Sequence, residues 1–263
     1  MAVDLDLWLT VAAALWGAAA GVLVPRAAYR LSAASGEPWR DRCPGGHLIG
    51  GWVGRARCAQ CARTVPAPPG DAGRAQLSGS VAGYGPSTFL VAPVTAFVCA
   101  ALALVTGTRP ELVVWLSLAP VGVLLTIVDF RVQRLPDVVT LPLAALALVL
   151  LAAAAALPEH AGEWLTALLG ALVLGGAYFL LFLVNPNGMG FGDVKLALGL
   201  GAVLGWYGWP AVVLGTFAGF LFGGLYGLGL VLAHRAGRRT AIPFGPFLIA
   251  GAFVGLLVGA YTA

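Results

Sequence analysis

The sequence predicts an all-α integral membrane protein of about eight transmembrane helices, with a small cytoplasmic loop subdomain between the first two. Composition is the first reason. Of the 263 residues, 60% are hydrophobic and 10% are charged, and the mean hydropathy is +0.91, whereas a soluble domain is nearer half apolar and a quarter charged. The second reason is that apolar segments long enough to cross a bilayer, about 20 residues each, follow one another along most of the chain.

Eight apolar segments are the candidate spans. They are residues 7–24, 88–107, 112–128, 138–157, 164–184, 193–206, 211–233 and 242–261. The sixth segment is short and has Lys195 just inside it, and we keep it because its omission would reverse the orientation of every later loop. The chain begins with the acidic stretch "MAVDLD", which argues against a cleaved signal peptide, so we expect the first span to stay as an anchor.

The basic residues predict the orientation of these spans. Lys and Arg close to span ends mark the cytoplasmic side of a membrane protein. With eight spans and the N-terminus outside, all of the 15 Lys and Arg residues except Arg109 fall on the cytoplasmic side. Glu159, His160 and Glu163 fall in an outer loop. The net charge of +4 is therefore a topology signal, and we expect the lipid bilayer, not a nucleic acid, as the partner of this chain. The apolar surface could face lipid or a second copy, so no oligomeric state is predicted.

The loop after the first span differs in composition from the rest of the chain. It is rich in Gly, Pro and Arg, and it contains "CPGGHLIGGWVGRARCAQC" followed by "VPAPPGDAGRAQLSGS". The paired cysteines predict a small soluble subdomain, and the second stretch is typical of a flexible linker. We therefore divide the chain into residues 1–26, the first transmembrane helix; residues 27–86, the loop subdomain; and residues 87–263, a seven-helix membrane domain.

Two stretches place carboxylates at predicted span ends. In "VDFRVQRLPDVV", Asp129 closes the third span and Asp137 opens the fourth, while "GMGFGDVKLALG" places Asp193 at the start of the sixth. Two crossings separate Asp129 from Asp193, so both return to the cytoplasmic boundary at about the same depth. Charged groups within a membrane cost about 2.5–3.5 kcal/mol on insertion scales and are functional candidates for that reason.

Two carboxylates at one depth suggest acid–base chemistry. If they lie close together they cannot both ionise easily, so they can share a proton around a water molecule. One can then take a proton from that water while the other polarises a carbonyl group, as in aspartic proteases. Gly190 and Gly192 would let backbone or substrate approach Asp193 closely.

Structural explanations of the same residues stay open. Asp137 or Asp193 could be a helix N-cap, and Asp129 could be an interfacial charge that ends its helix. Lys195 is expected to extend its ammonium group to the membrane surface.

Several motifs together resemble the bacterial type IV prepilin peptidases, which are GxGD-class membrane aspartic peptidases. The first is the pattern Asp-x6-Pro-Asp from Asp129 to Asp137, and the second is the "GxGD" of Gly190 to Asp193. "IPFGPFL" at 242–248 is similar to the family's last span, and "GVLVPRAAYRLS" at 21–32 resembles its "GSFLNVxxxRLP". The motifs follow the family's order along nearly the whole chain.

The resemblance implies cleavage of the basic leader of type IV prepilins or pseudopilins, at the cytoplasmic face of the bacterial cell membrane. Asp129 and Asp193 would be the catalytic pair, and Asp137, Gly190, Gly192 and Lys195 would be supporting motif residues. No cofactor is needed for this cleavage. Many family members also methylate the new N-terminus, and S-adenosylmethionine would be required here only if that activity is retained.

The cysteine motif departs from the family pattern of CPxC followed by CxxC. This chain has Cys43, then Gly46 at the position of the second cysteine, then Cys58 and Cys61. His47 is close enough in sequence to replace the missing ligand in a four-ligand zinc site. The alternative is a decayed loop with free thiols. Val22 and Pro25 also replace the family's Ser and Asn, so the resemblance supports cleavage more strongly than methyl transfer.

Other functions fit parts of the pattern. A proton-coupled transporter or channel also uses intramembrane carboxylates, although here both aspartates are expected at one face and no inverted repeat is visible. A presenilin-type or preflagellin-type GxGD protease would share the two aspartates but not the cysteine loop. In a purely structural protein, replacing either aspartate would change stability alone.

Overall fold

The computed structural model describes residues 2–34, 36–64, 83–186, 188–234 and 242–263, and these residues form a bundle of helices without a β-strand. The helices are α1 (Ala2–Leu31), α2 (Ala59–Thr64), α3 (Thr88–Thr106), α4 (Glu111–Val132), α5 (Asp137–Ala155), α6 (Trp164–Val184), α7 (Phe191–Gly205), α8 (Trp209–Leu232) and α9 (Gly245–Thr262). The predicted linker at 65–80, with Arg74, lies outside the described residues, as do Arg235, Arg238 and Arg239.

Within the described residues, seven helices are long and apolar enough to cross a membrane: α1, α3, α4, α5, α6, α8 and α9. The helix α7 has 15 residues and is shorter than a full span. Each of the eight predicted segments thus corresponds to a helix, and the prediction of an all-α, multi-pass membrane protein is confirmed.

Small residues let neighbouring helices approach closely, as is common in membrane proteins. A Cβ atom added to Gly17 of α1 would lie 2.9 Å from the Cα atom of Ala96 in α3. In the same way, Gly201 of α7 contacts the backbone of α6, and Gly251 of α9 contacts the backbone of Gly215 and Gly219 in α8. The glycines of α8 and α9 therefore bring these two helices into backbone contact.

The helix ends gather at two ends of the bundle. At the first, the C-terminus of α4 meets the N-termini of α5, α7 and α9, and we call it the aspartate end because Asp129, Asp137 and Asp193 lie there. At the opposite end, the guanidinium of Arg109 donates a hydrogen bond to the carbonyl of Ala260 over 2.9 Å. The two ends provide separate polar sites on an otherwise apolar bundle.

The helix α1 extends beyond the predicted span 7–24, and the loop supplies backbone hydrogen bonds around Pro25, which lies inside it. Pro25 has no N–H group and disturbs the helical hydrogen bonds around it. The backbone of Gly54 takes their place: its N–H donates to the carbonyl of Leu23 over 2.8 Å, and its carbonyl accepts from the N–H of Arg26 over 2.9 Å. The loop is therefore joined to α1 at Leu23 and Arg26, on either side of Pro25, which is one of the two residues that depart from the family motif.

Candidate active site

Asp129 lies in the last turn of α4 and is 4% exposed. Its Oδ2 atom accepts a hydrogen bond from the backbone N–H of Gly245 over 3.0 Å. Gly245 is the first residue of α9, and the N–H groups of a first helical turn have no partner within their own helix. The N-terminus of α9 therefore supplies a donor and a favourable dipole to this carboxylate. Asp129 is thus a buried carboxylate with a backbone partner from a second helix.

Gly245 contacts Asp129 so closely that no larger residue fits there without movement. A Cβ atom at this position would lie 2.8 Å from Oδ2 of Asp129 and 3.3 Å from Cδ1 of Leu135. Carbon and oxygen atoms that are not bonded do not approach to 2.8 Å without strain. The absent side chain is therefore what allows α9 to reach the carboxylate.

Asp193 is the third residue of α7 and is 6% exposed. The N-cap of α7 is Gly190, so the alternative of Asp193 as the N-cap residue is wrong. The N–H of Asp193 donates to the carbonyl of Gly190 over 3.0 Å, and a Cβ atom added to Gly190 would lie 3.6 Å from Oδ2 of Asp193. Gly192 packs against Leu135, where a Cβ atom would lie 2.9 Å from the Cβ of that leucine. The two glycines of the GxGD motif thus shape the turn that carries Asp193 into the bundle.

The two buried carboxylates meet at the aspartate end. Asp129 from α4 and Asp193 from α7 are close enough for the charge of Asp129 to act on Asp193. Asp129 accepts a backbone hydrogen bond from Gly245, and the Asp193 carboxylate lies beside the backbone of Gly190. A pair of carboxyl groups in such surroundings can hold one proton between them and activate a water molecule.

Tyr178 of α6 is a neighbour of Asp193 that the sequence did not identify. It is buried and interacts electrostatically with Asp193. Its ring stacks against Phe220 and Phe244, with centroids 5.9 and 6.4 Å apart. The one available signal was a hydroxyl-bearing residue within the apolar segment "LGGAYFLLFL". The ring of Tyr178 therefore belongs to a buried aromatic cluster, and its hydroxyl is the polar group that interacts with Asp193.

Asp137 and Lys195 form an ion pair beside this site. The Lys195 Nζ atom lies 2.6 Å from Oδ2 of Asp137, and the Asp137 side chain is 59% exposed. Lys195 therefore pairs with the supporting aspartate, and it also lies over the ring of Phe191 at 4.7 Å. The N-cap of α5 is Pro136, so the interpretation of Asp137 as an N-cap is wrong. Unlike the buried pair, Asp137 is a surface carboxylate whose charge is already matched.

The loop brings its four predicted metal ligands together. The ligand atoms of Cys43, His47, Cys58 and Cys61 all lie within 4.8 Å of one another. His47 Nδ1 lies 3.6 Å from the sulfur of Cys43, 3.6 Å from that of Cys58 and 3.2 Å from that of Cys61. Ligands of a tetrahedral zinc ion would be about 3.5–3.8 Å apart, given Zn–S and Zn–N bonds of about 2.3 and 2.0 Å. The cluster therefore fits a four-coordinate metal ion.

The pKa values of two cysteines in the cluster are shifted in opposite directions. A hydrogen bond from the backbone N–H of Cys61 is the largest effect that lowers the pKa of Cys58 to about 6. The pKa of Cys61 is raised to about 11, chiefly by its hydrogen bond with Cys43. The thiolate is the form that binds metals, so the backbone favours the ligating form of Cys58.

Two arginines of α1 hold this loop. The guanidinium of Arg26 donates to the carbonyl of Gly50 over 2.7 Å, and that of Arg30 donates to the carbonyls of Ile49 and Gly51 over 3.0 Å. Arg30 also lies over the ring of Trp52 at 4.2 Å. These residues of the "RAAYRLS" stretch act as anchors for the loop.

Comparison with known proteins gives consistent results over the membrane domain. A model of the type IV leader peptidase family matches residues 116–228, which include Asp129, Asp137 and Asp193. A prepilin leader peptidase/N-methyltransferase of Burkholderia pseudomallei (strain 1026b) is 32% identical over 240 residues, which cover 84% of this chain and 67% of that protein. The chain belongs to the type IV leader peptidase family.

Other family members share shorter stretches with the chain. The prepilin leader peptidase/N-methyltransferase of Aeromonas salmonicida (strain A449) is 38% identical over 147 residues, or 55% of this chain and 48% of that protein. The protein of the same name from Escherichia coli (strain K12) is 35% identical over 136 residues, or 50% of this chain and 57% of that protein. The chain thus spans about half the length of these relatives. No solved structure gives a significant match.

The structure of this leader peptidase family member brings several of the predicted site residues together. Asp129, Asp193, Gly190 and Gly192 come together, as do the four loop ligands. The role of Gly245 was missed, although "IPFGPFL" had been recognised as a motif. Because Pro246 follows Gly245, the sequence indicates that a helix begins there. It does not indicate that the N-terminus of this helix contacts Asp129.

Proposed function

We propose that the chain is an intramembrane aspartic endopeptidase that cleaves the basic leader of type IV prepilins or pseudopilins. The observation that carries this proposal is the meeting of two buried carboxylates, Asp129 and Asp193, at one end of a bundle that belongs to the leader peptidase family. The names of the relatives support the choice of prepilins as substrates.

In the proposed reaction, the pair holds one proton and binds a water molecule. The unprotonated carboxylate takes a proton from water as its oxygen attacks the scissile carbonyl carbon, and the protonated partner donates to the carbonyl oxygen. Collapse of the tetrahedral intermediate then breaks the C–N bond, and a proton passes to the leaving amine. The N–H group of Gly245 orients the carboxylate of Asp129 throughout. The titration belongs to the pair rather than to either residue.

The aspartate end is proposed to face the cytoplasm of the bacterial cell. The basic residues Arg26, Arg30, Arg131 and Lys195 lie at or near this end, and basic residues mark the cytoplasmic side. A substrate with a basic leader and a following apolar helix would then present the junction of the two at the depth of the carboxylates.

We further propose that the loop cluster of Cys43, His47, Cys58 and Cys61 holds a structural zinc ion. Four protein ligands in a closed set are typical of structural sites, whereas a catalytic zinc keeps an open position. In this assignment the four residues fix the shape of the loop, and the hydrolysis itself depends on the aspartates. The second activity named for the relatives, N-methyl transfer, is favoured by the retention of this four-ligand set despite the altered motif.

The test is cleavage of a membrane-inserted prepilin-type substrate by the wild type and by Asp129→Asn, Asp193→Asn and Asp137→Asn. The proposal expects loss of cleavage in the first two variants and retention in the third, whose side chain is exposed and serves as the matched control. Mass spectrometry of the product, with S-adenosylmethionine supplied, reports whether the new N-terminus carries a methyl group. Undiminished cleavage by both Asp129→Asn and Asp193→Asn would show that the proposed mechanism is wrong.

A further inference from the structure

A large apolar groove runs along the bundle from the candidate active site. Its volume is about 770 Å³, and its walls come from α3, α4 and α9, with residues of α7 at its floor. Val94 of α3, Gly122 and Phe130 of α4 and Pro246 of α9 are among its lining residues. The groups that carry out the proposed hydrolysis, Asp129 and Asp193, do not line this groove.

The groove has the length of a membrane-embedded helix segment. It follows one face of α4 from Trp115 to Phe130, and 15 residues at 1.5 Å each amount to about 22 Å. The hydrocarbon core of a bilayer is about 30 Å thick. An extended apolar ligand, rather than a small molecule, matches this dimension.

The volume shows how such a helix would sit. A helix 10–12 Å in diameter and about 22 Å long occupies roughly 1,700–2,500 Å³. The groove, at about 770 Å³, would hold roughly a third to just under half of that volume. Leu90, Val94 and Phe130 are also strongly exposed at its rim, so it is open towards the side. A helix would therefore bind by one face and leave the other faces to lipid.

One end of the groove lies next to the carboxylate pair, at the chain neighbours of Asp129 and Gly245. Phe130 follows Asp129 in the chain, and Pro246 follows Gly245, which donates the hydrogen bond to Asp129. A helix lying in the groove with its N-terminus at this end would present the peptide bonds before its first turn to Asp129. A lipid chain has no peptide bond to place at Asp129, so the position of the groove beside the carboxylates favours a substrate helix over lipid.

The wall of the groove that α4 provides also suits a helix. A Cβ atom added to Gly122 would have the Cγ2 atom of Ile249 as its nearest neighbour at 3.7 Å, so this position is small without being crowded. Ala119, one turn earlier on the same face, also lines the groove. Small residues on one helix face allow the backbone of a second helix to approach closely.

We propose that this groove binds the apolar membrane-spanning helix of the substrate by one face, with the scissile bond at the aspartate end. This inference rests on the proposed function, because it assigns a docking surface to the same reaction. The groove then sets which bond is cut, since the start of the docked helix fixes the distance of each peptide bond from Asp129.

The first test is photocrosslinking, which needs no cleavage. Val94 and Val149 are matched lipid-facing valines, 51% and 65% exposed, and Val94 alone of the two lines the groove. A benzophenone amino acid is placed at each position in the Asp129→Asn variant, and a membrane-inserted prepilin-type substrate is added. The inference expects crosslinks from position 94 to the apolar segment of the substrate and only lipid adducts from position 149. Lipid adducts alone at position 94, crosslinks to a second copy of the chain there, or equal substrate crosslinking at both positions would overturn it.

The second test fills the groove. Gly122→Leu projects a side chain into it, whereas Gly176→Leu places the same side chain on α6 where no atom lies within 4 Å of the added Cβ. With the full-length substrate, Gly122→Leu should lower kcat/KM about tenfold or more, equivalent to 1.4 kcal/mol, and Gly176→Leu should not. With a soluble peptide that contains the leader and cleavage site but no apolar helix, both variants should match the wild type.

The two proposals fail in different ways. If the wild type cleaves the full-length substrate and Gly122→Leu cleaves it equally well, the groove assignment is wrong and the peptidase proposal stands. If the wild type cleaves no prepilin-type substrate, the peptidase proposal fails, and the crosslinking pattern still decides whether the groove binds an apolar helix.

Discussion

Gly245 and Asp129 are separated by 116 positions in the chain, yet the backbone N–H of the glycine donates to Oδ2 of the aspartate over 3.0 Å. The bond joins the end of α4 to the start of α9, so two helices jointly fix one carboxylate. Its geometry depends on the absent side chain of Gly245, because a Cβ atom there would lie 2.8 Å from the same oxygen.

Replacing Gly245 by alanine should therefore displace Asp129 and slow cleavage. A misplacement of about 1 Å in a catalytic group costs roughly 100-fold in rate, and we expect an effect of this order on kcat for a prepilin-type substrate. Gly224→Ala is the control, since a Cβ atom at position 224 meets no atom within 4 Å. The rates of both variants are compared after their melting temperatures have been measured. Wild-type turnover by Gly245→Ala would show that the N-terminus of α9 does not hold the catalytic carboxylate.

The ion pair of Asp137 and Lys195 should contribute little to catalysis. Its atoms are 2.6 Å apart, but Asp137 is mostly exposed, and exposed pairs contribute about 0–1 kcal/mol to stability. Asp137→Asn, Lys195→Met and the double variant form a thermodynamic cycle, and we expect a coupling energy of at most about 1 kcal/mol from chemical unfolding in detergent. Cleavage should change by less than about fivefold. A loss comparable with that in Asp129→Asn would instead place Asp137 in the catalytic machinery.

The loop cluster should hold one zinc ion per chain. Elemental analysis of the purified protein is expected to find zinc in the wild type and to lose it in Cys58→Ser, because three ligands hold the ion less tightly than four. Cys99→Ala is the matched control, since Cys99 is buried in α3 outside the cluster. His47→Cys should retain the ion, as it restores a four-cysteine set. Zinc bound equally by wild type and Cys58→Ser would place the ion elsewhere.

Chelation separates the metal from the proposed hydrolysis. Removal of zinc should loosen the loop that Arg26 and Arg30 hold against α1, while a short leader peptide should still be cleaved by the aspartate pair. Proteolysis of the loop and cleavage of the peptide can be followed in the same sample. Loss of peptide cleavage that returns when zinc is added back would contradict a purely structural metal.

The sequence was sufficient for the helices, because apolar length identifies membrane helices. The alternation of spans predicts a common depth for Asp129 and Asp193, but not the distance between their side chains. The GxGD glycines marked the turn before Asp193. These features are local, or follow from counting, so they can be read from one sequence.

Contacts between distant segments could not be predicted in this way. Gly245 and Tyr178 reach the carboxylates through the packing of α9 and α6, which periodicity does not determine. Glu111 is another example. It precedes the predicted third span by one residue, yet it is fully buried, and its partners Ala161 and Tyr207 come from two later parts of the chain.

The buried network around Tyr207 leads to a prediction about stability at the opposite end of the bundle. The indole N–H of Trp115 donates to the Tyr207 hydroxyl over 3.2 Å, and that hydroxyl donates to Oε1 of Glu111 over 3.4 Å. Tyr207→Phe removes the central group and leaves a buried donor without its partner, which costs about 1–3 kcal/mol. The melting temperature in detergent should fall by about 2–4 °C for each kcal/mol.

Cleavage by Tyr207→Phe should stay close to wild type below its melting temperature, because the network lies at the end of the bundle away from Asp129 and Asp193. Tyr261→Phe is the control: Tyr261 is near the same end, at the C-terminus of α9, and is exposed, so its hydroxyl can be lost at little cost. If Tyr207→Phe melted with the control, the hydroxyl would contribute nothing to the fold. If it lost cleavage while remaining folded, the two ends of the bundle would be coupled, and the separation of stability from catalysis would be wrong.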